Sequence, residues 1–136
     1  MQLTLSEAIS SLRVFSDQTH KFWGYYQAFT AAAIAFAWAS TTQQSRVIIG
    51  LVFAYVLFAL FNCRLVVGSQ RASVAVWNAI QEYKARHLAS ITPEFLPILS
   101  LNQPEPPGQV RAMHVALSAG AACVMLSRLL FLKCAD

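Results

Sequence analysis

Residues 47–61, VIIGLVFAYVLFALF, are fifteen consecutive side chains with no charge and nothing more polar than Tyr55. Water is the wrong solvent for such a run. Two more stretches resemble it, 22–39 and 110–132. Each has about the length a helix needs to cross the roughly 30 Å hydrocarbon core of a bilayer. Composition agrees: 57% of the chain is hydrophobic and 12% charged, against about 45–50% and about 25% in soluble domains. The 136 residues leave room for one compact domain.

The flanks of the runs define the expected elements. Thr4-Leu5-Ser6-Glu7 has the form of a capping box, in which the Thr hydroxyl and the Glu carboxylate each satisfy an orphan backbone N–H. Leu5, Ile9, Leu12, Phe15 and Phe22 then recur at helical spacing. This amphipathic segment, 1–21, runs without proline into the first span, 22–39, where Trp23, Tyr25 and Tyr26 suit the headgroup level at one end and Trp38 at the other. The polar residues 40–45 predict a tight turn, with Thr42 or Ser45 capping the next helix.

The second span, 46–67, continues past Asn62 and Arg64 into an amphipathic helix, 68–92, with Gly68-Ser69 the expected kink. Residues 93–109 hold all five prolines and predict a loop, with a capped turn at Thr92-Pro93-Glu94. The third span is 110–132. The fold class expected is therefore all-α: an integral membrane protein with three transmembrane helices, the first two extended into a small cytoplasmic helical bundle. Leu5, Ile9, Leu12 and Phe15 would pair there with Val76, Trp77, Ile80 and Tyr83, and the last four form the expected partner face.

Charge sets the expected orientation. Arg13, Lys21, Arg64, Arg71, Lys84, Arg86 and Arg111 fall on one side, Arg46, Arg128 and Lys133 on the other. The richer side is the cytoplasmic one by the positive-inside rule, so the N-terminus lies inside and the C-terminus outside a plasma or inner membrane. The net charge of +4 is accounted for by these flanks, and no nucleic-acid module accompanies it. The first twenty residues lack the apolar core of a signal peptide. Cys63, Cys123 and Cys134 are odd in number and lack metal-ligand spacing, which points away from a disulfide framework or zinc site. Cys134 is too close to the end for a prenylation box.

Small residues carry the most usable signal. Ala28, Ala32 and Ala35, then Gly50 and Ala54, then Ala112, Ala116 and Gly120 recur at helical spacing in the three spans. Close backbone approach is what holds helices together in lipid. These residues either pack one protomer or make an oligomer interface. His20 and His114 sit near the same edge of their spans and are the candidates for cofactor contact, since two imidazoles from neighbouring helices can ligate haem. No cofactor motif accompanies them, and no cofactor is expected. Arg13 and His20 form an R-x6-H pair similar to that of some helical ribonucleases of the HEPN class. Polar groups in the spans are few (Gln27, Thr30, Asn62, Ser118 and Ser127) and no acid lies inside one, which disfavours an ion-coupled transporter. The functions expected are a homo-oligomeric membrane assembly, such as a pore or membrane-disturbing effector, or an accessory subunit of a larger membrane complex, with a haem or ribonuclease enzyme as the third.

Overall fold

The computed structural model describes residues 4–39, 41–87 and 103–133. Among these the chain is all helix: α1 (Leu5–Trp38), α2 (Ser45–Arg86) and α3 (Pro107–Lys133). At 1.5 Å per residue they are about 51, 63 and 40 Å long, so all three exceed the roughly 30 Å hydrocarbon core of a bilayer, the first two by the most.

The capping box is present. Thr4 Oγ1 accepts from the Glu7 N–H at 3.3 Å, and the Thr4 N–H donates to the Glu7 carboxylate at 2.8 Å. The backbone N–H of Thr4, followed by its hydroxyl, holds the Glu7 carboxyl below its ordinary range. A depressed carboxyl contributes stability that is present above its unfolded-state value and lost as pH falls through the lower folded one. Protection of the first-turn amides of α1, their exchange relative to that of an unstructured peptide at the same pH, should therefore fall on acidification through that window, and Glu7→Gln should remove this fall. Equal pH profiles for the two proteins would contradict this.

α1 ends where Ala39 turns extended. Thr42 does not cap α2 as the sequence led us to expect. Its hydroxyl donates backwards to the Phe36 carbonyl at 2.9 Å, satisfying an acceptor at the end of α1. Ser45 lies inside α2, whose N-cap is Gln44 without a side-chain bond. α2 runs unbroken through Gly68 and Ser69. α3 begins earlier than expected, with Pro107 as its first residue and the Pro106 carbonyl accepting from the N–H groups of Gln109 and Val110. Proline fits there because its missing N–H would have no helical partner. The expected turn at 92–94 lies outside the described residues.

Cross-helix contacts give the topology. Thr19 meets Ser69 and Tyr26 meets Tyr55, so α1 and α2 are antiparallel. Tyr26 meets Ser118 and Trp38 meets Phe131, so α1 and α3 are parallel. The core between them is made of Tyr26, Ala33, Ala37, Tyr55, Ala59, Ala121 and Met125. Alanines here let the backbones approach while two tyrosines fill the remaining space.

α2 and α3 are long and apolar enough to cross a membrane. α1 carries Tyr25, Tyr26, Gln27 and two tryptophans in its apolar half, which lowers its hydropathy. Only 22% of the apolar stretch of α2, and 11% of that of α3, is buried within the chain. Exposed apolar residues run from Val47 to Leu65 on α2 and from Met113 to Phe131 on α3, each a belt of about 27 Å.

Candidate functional site

The interior of the three helices is not purely apolar. A column of polar side chains runs through it, and its hub is Asn62 of α2, 4% exposed. Asn62 Nδ2 donates to the Phe22 carbonyl of α1 at 3.2 Å. That carbonyl has a second lone pair beyond its helical bond. The orientation of the amide follows, because the reverse would set two oxygens against each other. Asn62 Oδ1 therefore faces His114 Nε2 of α3 at 3.0 Å and can only accept. His114 is thus the Nε2–H tautomer, with a lone pair at Nδ1. Ser118 Oγ lies 3.3 Å from that Nδ1 and 2.8 Å from the His114 carbonyl, so its single proton is shared between these two acceptors.

The second node again joins all three helices. The Tyr26 hydroxyl lies 3.0 Å from Ser118 Oγ and 3.2 Å from the Tyr55 hydroxyl, which is 3.3 Å from Thr30 Oγ1. The His114 ring also packs on Tyr26 and Trp23, with centroids 4.3 and 5.4 Å away. Below Asn62, Ser69 Oγ donates to the Phe15 carbonyl at 2.9 Å beside Thr19, and Gln70 Nε2 donates to the Glu105 carbonyl at 2.7 Å. Every one of these groups has a partner inside the protein, as an apolar surround requires.

The structure separates the two candidate histidines. His114 is buried, with protein partners for both ring nitrogens. His20 is exposed and lines a different cavity. They do not form a facing pair open to an iron, and His114 would have to leave Asn62 or Ser118 to ligate one. Arg13 and His20 both line a cavity of about 560 Å³ with Asp17 and Gln70. Among the described residues, neither is held by a hydrogen bond or ion pair, and a general base needs a positioned partner.

The small-residue stripes face outward. Ala28, Ala32 and Ala35 are exposed on α1, Gly50 and Ala54 on α2, and Ala112, Ala116 and Gly120 on α3. Gly24 extends the first stripe, and an added Cβ there, at Gly50 or at Gly120 would meet nothing within 4 Å. At about 100° per residue, the α1 stripe lies on the side opposite Tyr26, Ala33 and Ala37. Trp77 and Ile80 are buried, Val76 is half-buried and Tyr83 is exposed, so Tyr83 is the most accessible part of the anticipated partner face.

Tyr26 is the residue that sequence reasoning misplaced. It is 3% exposed and points to the helical centre, while its neighbour Tyr25, 64% exposed, points out. The available signal was the set of polar groups in apolar surroundings (Tyr26, Tyr55, Asn62, His114 and Ser118), which in lipid must find one another.

The outer surface holds a groove of about 860 Å³ between α2 and α3, whose lining includes Arg64, Arg71 and Arg111 but no acid. Comparison with family models, with curated proteins and with solved structures found no match.

Proposed function

We propose that this chain is an integral membrane protein crossing the bilayer three times, and that it acts as a homo-oligomeric assembly in which a pore or a disturbance of the membrane arises between copies. The observation that carries this reading is the outward ridge Gly24, Ala28, Ala32, Ala35, on the face of α1 opposite its buried side. The protomer packs with a different set of alanines, so the ridge is free for a second copy. Ala112, Ala116 and Gly120 offer a similar surface on α3.

The low burial of α2 and α3 within the chain supports lipid as their solvent. α1 joins them as a span because Tyr26 is level with Ser118, and Trp38 with Phe131. Its first half and that of α2 beyond residue 67 then form the cytoplasmic bundle, with the N-terminus inside by the arginine balance. The polar residues of the spans support a route between protomers rather than through one, since Thr30, Asn62 and Ser118 are bonded to partners in the protomer's interior.

Mass determination of the detergent-solubilised protein tests the assembly. A homo-oligomer is expected, and Ala28→Ile combined with Ala32→Ile should convert it to monomer while leaving the helical content unchanged. Monomer alone in the unaltered protein would end the proposal. The accessory-subunit reading draws on Ile9, Val14 and Tyr83, apolar side chains exposed on the protruding halves of α1 and α2. The same measurement separates it, because it requires a mass that only a second kind of chain can supply.

A further inference from the structure

We propose that the groove between α2 and α3 holds an anionic glycerophospholipid, with its phosphate on Arg64, Arg71 and Arg111 and its acyl chains over Val56, Leu60 and Ala119. The inference rests on the membrane reading above and adds a specific ligand to it.

The three arginines converge. Arg64 and Arg71 are seven residues apart on α2, two turns, and so lie on one face about 10 Å from each other. His114 is level with Asn62. Because the helices are antiparallel, Arg111 falls level with residue 65, between the two α2 arginines. All three line the same groove and all are exposed. Among the described residues none has an acidic partner.

Three uncompensated guanidiniums in one groove repel one another unless an anion joins them. Guanidinium forks match a phosphate bidentately. The depth is that of a headgroup: the exposed apolar belts end at Leu65 on α2 and Met113 on α3, beside Arg64 and Arg111. Above them the groove is walled by Val56, Leu60 and Ala119, and the small Ala119 leaves room for a chain. Basic pockets between membrane helices bind anionic headgroups on these grounds. A choline headgroup would bring an ammonium to the arginines, so charge selects an anionic lipid.

The test is native mass spectrometry of the protein released from phosphatidylcholine nanodiscs with and without a minority of phosphatidylglycerol. One retained phosphatidylglycerol per protomer is expected. Each arginine-to-glutamine change should weaken retention about fivefold and the triple variant R64Q/R71Q/R111Q roughly 100-fold, at about 1 kcal/mol per basic residue. Ala119→Trp, which leaves the arginines in place and fills the chain slot, should also release the lipid. Equal retention by the unaltered and triple proteins, or by the unaltered and Ala119→Trp proteins, overturns the proposal. So does equal retention of phosphatidylcholine. Thermal stabilisation by inorganic phosphate alone, as large as that by phosphatidylglycerol, overturns it in favour of a free-anion site. A protein that enters neither disc overturns the membrane reading and the lipid site together; one that enters both and keeps no phosphatidylglycerol overturns the lipid site alone.

Discussion

Asn62→Leu lowers the unfolding free energy of the purified protein by about 1–3 kcal/mol, measured by titration into a denaturing detergent. Leucine is close enough to asparagine in size that packing changes modestly, and the loss is chiefly electrostatic. Two interhelical bonds disappear, to the Phe22 carbonyl and to His114 Nε2. Such bonds in lipid average about 0.6 kcal/mol and reach about 1.7. The leftovers are unequal. The Phe22 carbonyl keeps its helical partner, whereas the His114 N–H is left in an apolar interior with none, and an orphaned buried donor costs about 1–3 kcal/mol. The His114 term dominates, which makes a second result follow. His114→Leu on its own should cost a similar amount, and the double variant clearly less than the two together, because removing both partners leaves no orphan. Strictly additive losses would show that the two side chains are not coupled and would dismantle the column.

Ala37→Leu should be the most damaging single enlargement in the three helices, and Ala32→Leu among the least. Ala37 is fully buried, in one cluster with Tyr55, Ala121 and Met125. Three extra carbons there must push a neighbouring helix away or force a strained rotamer, at about 1–3 kcal/mol. Separating the helices also stretches the Tyr26–Tyr55 and Tyr26–Ser118 contacts, which are 3.2 and 3.0 Å. Ala32 lies on the exposed ridge, so its enlargement should leave protomer stability within about 0.5 kcal/mol. The same thermal melts on both variants, read under conditions that dissociate any oligomer, decide the matter. A larger loss at Ala32 than at Ala37 would mean that α1 faces the other way.

Features that arise from near neighbours in the chain are legible in the sequence. The Thr4–Glu7 box spans three residues and follows from the backbone geometry of any helix start. The apolar runs of α2 and α3 announce themselves by length. Sequence reasoning fails where a side chain has two possible partners. Thr42 follows one helix and precedes the next, and nothing local decides whether its hydroxyl serves Phe36 behind it or α2 ahead. Tyr25 and Tyr26 have the same chemistry, and only the rotation of α1 sends one outward and the other to Tyr55 and Ser118.

By itself, the sequence determined that this protein is helical, that two of its helices suit a membrane, and that an asparagine and a histidine interrupt their apolar runs. The tertiary structure alone decided which face of each helix turns inward. In water an amphipathic stripe settles that question, because one side must avoid solvent. In the apolar segments of this chain both sides are apolar, and alanines recur at a spacing of four on each: Ala33 and Ala37 on one face of α1, Ala28 and Ala32 on the other. Composition does not distinguish them. The hydrogen bonds of Asn62, His114, Tyr26 and Tyr55 do, because those groups pair only when the helices rotate to bring them together.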